Sequence, residues 1–99
     1  MATATIRVVA RITAQAGKIG EVKSILQDLV GPTRRDEGCI GYQLLQNIND
    51  PADFTFVEEW ASEAAIAAHM ATPHIQTALS QVQSLLADKP DIRLYAIVA

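Results

Sequence analysis

The chain is poor in the groups that mark most binding and redox chemistries. One cysteine, Cys39, stands in 99 residues, so no internal disulfide can form. A lone thiol fits a reducing compartment, and the cytoplasm is the expected location. Clustered positive charge is missing as well. Eight Lys+Arg against eleven Asp+Glu give a net charge of −3, and the tight basic pair Arg34–Arg35 is followed at once by Asp36–Glu37. Phosphate backbones attract proteins through clustered Lys and Arg, so nucleic acid is not an expected partner. No apolar run approaches the roughly 18–20 residues that span a bilayer, so no membrane association is expected. The amino terminus, MATATIRVVARI, has its basic residues inside the apolar stretch and does not read as a secretory leader. Four prolines and five glycines beside 49% hydrophobic residues exclude collagen-like and disordered chains, and a single folded domain over residues 1–99 is expected.

What is present alternates between two periods. Residues 5–13 place Ile6, Val8, Ala10 and Ile12 on one side and Arg7, Val9, Arg11 and Thr13 on the other, a strand with one apolar face. Ile19, Val22, Leu26 and Leu29 then recur at helical spacing, with Gly31–Pro32 expected to interrupt or bend the helix and Glu37–Gly38 to end the segment. Cys39–Asn47 reads as a second strand, with Ile40, Tyr42 and Leu44 on one face and Cys39 and Leu45 on the other. Asn49, Asp50 and Pro51 turn the chain into a third strand, Phe54–Trp60, which the short connection makes antiparallel to the second. Ser62 is placed to cap a short helix over Glu63–Met70, and Thr72–Pro73 to start another carrying Ile75, Leu79, Val82 and Leu86. Ile92–Val98 is the fourth strand. The order β-α-β-β-α-β predicts an α+β, ferredoxin-like antiparallel sheet with helices on one side. Tyr95, Ile97, Leu45, Cys39 and Val57 leave the far face half apolar, which predicts a homodimer closed across a two-fold axis.

Few residues can carry chemistry. Gly38-x-x-Gly41 opens a strand rather than a helix, so it is not a phosphate loop. Cys39 has no second cysteine and reads as a small buried hydrophobe. His69 and His74 are five apart with Pro73 between them, not the i, i+4 spacing that aims two imidazoles at zinc. No third ligand is apparent, and no metal is expected. Either histidine can exchange a proton near neutral pH, and His74 sits in the first turn of its helix. Each can equally be a capping or edge residue. Glu58 shares a strand face with Phe54, Phe56 and Trp60, where desolvation would raise its pKa and suit it to proton transfer. The alternative is an ion pair with Arg7 or Arg11. Tyr42 can offer its hydroxyl to a ligand or be a core tyrosine.

The strings EGCIGY and VEEWASEAAIAAHMATPH resemble the antibiotic biosynthesis monooxygenase family, and within it the small quinol monooxygenases. The most specific parts are Glu58-x-Trp60, Glu63-Ala64-Ala65, Ala68-His69 and Thr72-Pro73-His74, with Glu37-Gly38-Cys39 and Tyr42 earlier in the chain. The resemblance implies a dimeric α+β barrel whose protomers each keep a pocket between sheet and helices. It further implies oxidation of a small quinol or phenol by O₂ without flavin, metal or haem. Carried over, Tyr42 and Trp60 would line the ring pocket, with Ile66 and Met70 as its apolar floor. His69 or His74 would accept the proton, and Glu58 would orient that histidine or act as the base. Haem-degrading relatives carry an asparagine and a histidine where this chain has Ala10 and Leu79, which argues against that reaction. Another branch resembles isomerases of a phosphorylated signalling sugar and shares Thr72-Pro73-His74. A proton-transfer isomerase and a non-catalytic dimeric ligand-binding module are therefore the alternatives.

Overall fold

The computed structural model describes residues 4–99; the first three residues of the amino-terminal segment read above lie outside that range. The alternation in the first strand becomes β1 (Ile6–Thr13), in which Val8, Ala10 and Ile12 are buried on one face. The chain continues through α1 (Ile19–Arg34), β2 (Cys39–Gln46), β3 (Asp53–Trp60), α2 (Glu63–Met70), α3 (Pro73–Val82), a 3₁₀ turn (Gln83–Leu85) and β4 (Asp91–Ala96). The sheet order is β2-β3-β1-β4, every neighbouring pair antiparallel, which is the ferredoxin-like arrangement expected from the β-α-β-β-α-β order. Register decides which residues share the helix-covered face. Tyr42 lies opposite Glu58, Glu58 opposite Val8, and Val8 opposite Leu94. Phe54, Phe56 and Trp60 extend that face, and Val22, Leu26 and Leu29 of α1 with Ile75, Ala78 and Val82 of α3 close the core above it.

Three local expectations are corrected. Gly31–Pro32 does not interrupt α1, which runs on to Arg34. Pro32 stands so near the carboxyl end that its missing N–H costs one helical bond, and Arg35 N–H and Asp36 N–H close the helix on the Pro32 and Thr33 carbonyls. Ile40 does not share a face with Tyr42, because the ladder slips between Cys39 and Gly41. This bulge puts Cys39 on the core side and leaves Ile40 55% exposed. The fourth strand stops at Ala96, short of Val98.

Capping fixes the two short helices. Ser62 Oγ accepts from Ala65 N–H at the start of α2, and Thr72 Oγ1 faces Ile75 N–H at the start of α3 while donating to the His69 carbonyl at 2.7 Å. Only Ala71 and Thr72 separate the helices, so His69 and His74 emerge on either side of a tight corner. Among the described residues no helix is long and apolar enough to cross a membrane.

Gly38 holds the loop after α1 against this corner. Its φ of +83° is in the left-handed region, and a Cβ there would fall well inside contact with Ala65 Cβ of α2. Its carbonyl accepts Ala61 N–H at 2.8 Å. Gly17 has nearly the same φ, +82°, but open space around it. Gly17→Ala therefore adds backbone strain alone, about 1–2 kcal/mol. Gly38→Ala adds the same strain and an overpacking cost of about 1–3 kcal/mol. Thermal melts of the two variants are expected to show the larger loss for Gly38→Ala. Equal losses would mean that the loop moves freely away from α2.

Candidate active site

The closeness that Gly38 permits brings Asp36, in the loop between α1 and β2, onto the α2–α3 corner. Asp36 Oδ2 lies 2.8 Å from His69 Nδ1 and 2.8 Å from His74 Nε2, so one carboxylate oxygen receives two imidazole nitrogens. A carboxylate accepts only, so the bonding nitrogen of each neutral ring carries its proton. That leaves Nε2 of His69 as an acceptor, and it has no hydrogen-bond partner among the described residues. Burial raises the Asp36 pKa, but the hydrogen bonds from His69 and His74 outweigh it, and the carboxyl is held below the usual carboxylate range. The three side chains grade outward: His69 is 4% exposed, Asp36 13% and His74 24%.

His69 sits where an apolar cavity of about 180 Å³ lies between the sheet and the helices. Val8 and Ala10 of β1, Phe56 of β3, and Ile66 and Met70 of α2 supply much of its wall. Tyr42, Glu58 and His69 are the lining residues with polar side-chain groups. The cavity shares Leu79, Val82, Pro90 and Ile92 with an open groove of about 900 Å³ beside α3, which has none of those three residues. Trp60 Nε1 donates to Glu58 Oε1 at 2.8 Å, and the Trp60 ring packs against His69 with centroids 4.7 Å apart. Tyr42 packs on Phe56 with ring centroids 4.8 Å apart and meets the His69 ring in a T-shaped contact at 6.0 Å. Burial pushes the Glu58 carboxyl up, only partly opposed by the indole hydrogen bond. Burial, and then the neighbouring Glu58, also push the Tyr42 phenol up, so it stays neutral. Desolvation likewise raises the Cys39 thiol, which is therefore a poor nucleophile.

The structure thus gathers Tyr42, Glu58, Ile66, His69 and Met70 around one hollow. Trp60 does not line it: the residue is fully buried, and it supports Glu58 and His69 from behind. His74 is turned outward to Asp36 and lines a separate surface hollow with Asp28 and Leu29. Glu58 pairs with neither arginine. Arg7 lies 3.6 Å from Glu59 and Arg11 binds Asp53, both on the opposite sheet face. The group that sequence reasoning missed is Asp36. It is 33 residues from His69 and 38 from His74, and within the run Arg34-Arg35-Asp36-Glu37 it reads as charge cancellation. The glycine two positions later, which admits the loop to α2, is the local signal that could have singled it out.

The Glu58 environment has a stability consequence whose sign is fixed. A carboxyl with a raised folded pKa binds more protons folded than unfolded, so stability falls as pH rises from the ordinary carboxylate range through the folded value. Glu58→Gln keeps an oxygen for the Trp60 N–H and carries no charge. The melting temperature of Glu58→Gln minus that of the unaltered chain is expected to grow more positive between pH 4 and pH 8. A difference independent of pH would show that Glu58 ionises as it does in water.

The sequence profile described as antibiotic biosynthesis monooxygenase matches residues 5–81. Among curated relatives, the uncharacterized protein sll1783 of Synechocystis is 29% identical over 90 residues, covering 91% of this chain and 61% of that protein, so the chain spans about three-fifths of its length. YcnE of Bacillus subtilis, named a putative monooxygenase, is 31% identical and covers 84% of this chain and 87% of its own length. The crystal structure of PA3566 from Pseudomonas aeruginosa superposes with a TM-score of 0.94 at 28% identity, covering 100% of this chain and 99% of that one. With a family profile spanning both histidines, Glu58 and Asp36, and a fold shared over its full length, the chain belongs to the antibiotic biosynthesis monooxygenase family.

Proposed function

We propose that the protein is a cofactor-independent monooxygenase that oxidises a small phenol or quinol with O₂, with His69 as the base. The observation that carries this reading is the His69 ring, tied through Nδ1 to Asp36 while it lines an apolar cavity beside Glu58 and Tyr42. Asp36 fixes the tautomer that leaves Nε2 as acceptor and stabilises the imidazolium formed when a proton is taken. An apolar cavity of ~150 Å³ accommodates benzene. The present 180 Å³ suits a single ring, and a second fused ring would extend towards the mouth at Ile92 and Leu94. Tyr42 and Phe56 offer it aromatic faces, and Ile66 and Met70 an adaptable apolar floor.

The chemistry needs nothing further from the protein. His69 removes a hydroxyl proton, and the electron-rich anion, kept from water, transfers an electron to O₂. The resulting radicals combine at a ring C–H carbon to give a hydroperoxide. Loss of that carbon's hydrogen with cleavage of the O–O bond leaves one oxygen on the ring and one in water. The balance is quinol plus O₂ to hydroxyquinone plus water. Glu58, whose carboxyl burial pushes up, is the proton donor to the departing oxygen. A proton-transfer isomerase would use the same two groups, but the cavity lining holds no Lys or Arg to receive a phosphorylated substrate.

O₂ uptake by metal-free protein with a reduced naphthoquinol tests the assignment. His69→Ala is expected to lose at least about 100-fold of the rate above autoxidation. Asp36→Asn should lose at least about 10-fold through the tautomer, while His74→Ala retains uptake. An unchanged rate in His69→Ala would sink the assignment of the base, and turnover without O₂ consumption would point to the isomerase.

The same reading includes a cytoplasmic homodimer. Leu45 and Tyr95 stay 48% and 46% exposed on the sheet face away from the helices, where Arg7–Glu59 and Arg11–Asp53 pairs neutralise the charge between them. Sedimentation equilibrium should give about 21 kDa, twice the 10.7 kDa chain. A mass of one chain at micromolar concentration would exclude the pairing.

A further inference from the structure

We propose that Asp36, His69 and His74 form a binding site for a divalent cation of the zinc class, and that the ion switches off the base that the preceding reading assigns to His69. The sequence suggested no third ligand for the two histidines; the structure supplies one. The His69 Nδ1, His74 Nε2 and Asp36 carboxylate oxygens all lie within 4.8 Å of one another. Two imidazoles and one carboxylate are a recurrent donor set for Zn²⁺ and other borderline divalent ions, with open positions left for water.

The fit is close. Zn–N and Zn–O bonds of about 2.0–2.2 Å at tetrahedral angles put ligand atoms about 3.3 Å apart. The two nitrogens are each 2.8 Å from Asp36 Oδ2, so those pairs need to open by only about 0.5 Å. The widest pair needs to close by no more than about 1.5 Å. His74 is the member placed to move, being the most exposed of the three and in the first turn of α3. Asp36 Oδ1 makes no hydrogen bond among the described residues and is available as a second oxygen donor. No net proton needs to leave: the bonding nitrogen of each neutral imidazole gives up its hydrogen, and the other ring nitrogen takes one.

That tautomer change gives the site its consequence. With the ion on Nδ1, the proton of His69 moves to Nε2, and the nitrogen left free as acceptor becomes a donor. Neither Asp36 nor His74 lines the cavity, so the ion would sit behind the His69 ring, away from the substrate. Its effect would be inhibition rather than redox chemistry.

The test uses the full chain stripped with a chelator, titrated with Zn²⁺ by calorimetry and with Co²⁺ by visible absorption. One ion per chain is expected, with the intense Co²⁺ bands of a four-coordinate site. Affinity should fall by at least about 10–100-fold in His74→Ala and in Asp36→Asn. His74→Ala is partly exposed and outside the proposed machinery, so its retained O₂ uptake should become insensitive to Zn²⁺. Binding that is absent, or unchanged in His74→Ala, would overturn the site. Binding with the expected losses but no inhibition of O₂ uptake would keep the site and refute the proposed effect on the base. A rate insensitive to His69→Ala would count against the base assignment alone.

Discussion

One oxygen atom of Asp36 joins the parts of the fold that would otherwise have no reason to meet. It receives a nitrogen from the end of α2 and another from the start of α3, while its own backbone belongs to the loop that leaves α1. A carboxylate that is 13% exposed loses much of its hydration, and the charged form persists because two hydrogen bonds replace the lost water. The geometry is over-determined from several directions. Gly38 lets the loop approach Ala65, Ser62 fixes where α2 begins, and Thr72 ties the α2 terminus to the first turn of α3. Each contact is local and modest. Together they leave the His69 ring one position, with one nitrogen committed and the other free.

How much of this was legible in the sequence follows from the range of the interactions involved. Strand and helix periods are local, and β1, β3, α2 and the capped start of α3 emerge where the alternation, Ser62 and Thr72 place them. Glu58 on the Trp60 side of β3 is likewise a matter of parity, as is its burial beside Phe54 and Phe56. Failures occur where tertiary contacts override the local rule. The bulge exchanges Cys39 and Ile40 between faces, which a strict two-residue period cannot register. α1 continues through Pro32 because the loss of one hydrogen bond near a helix end is small beside the packing of Leu26 and Leu29. Asp36 was invisible for a different reason. Its partners are distant in the chain, and a charged residue beside an arginine pair has a sufficient local explanation.

The same distinction separates His69 from Glu58, two of the three titratable groups that line the cavity. His69 is backed by an ionised partner, Asp36, whose oxygen fixes which ring nitrogen carries the hydrogen. Glu58 is backed by an indole N–H, a neutral donor that offsets only part of the desolvation, so its carboxyl is still pushed up. Trp60 underlies both, packed on one and bonded to the other. A single large aromatic therefore holds His69 and Glu58 in place without occupying the hollow between sheet and helices. This places the indole behind the hollow, whose wall includes Tyr42, Phe56, Ile66 and Met70.

The apolar surroundings that sustain this difference are complete on one side only. Toward β2 and β3 the cavity ends on buried Tyr42 and Phe56, whereas toward β4 it ends on Ile92 and Leu94, 45% and 49% exposed. β4 pairs with β1 alone, so among the described residues no further strand covers its outer edge. Water excluded at Glu58 therefore has access within one strand's width of Val8, which lies between Glu58 and Leu94 in the register. The anion of the proposed reaction would need that water kept out for as long as it persisted. The fold alone supplies the exclusion around Glu58 and His69, which are 9% and 4% exposed. At the mouth it falls to whatever covers Ile92 and Leu94, and a hydrophobic substrate spanning the cavity from Tyr42 to that edge would do so by binding.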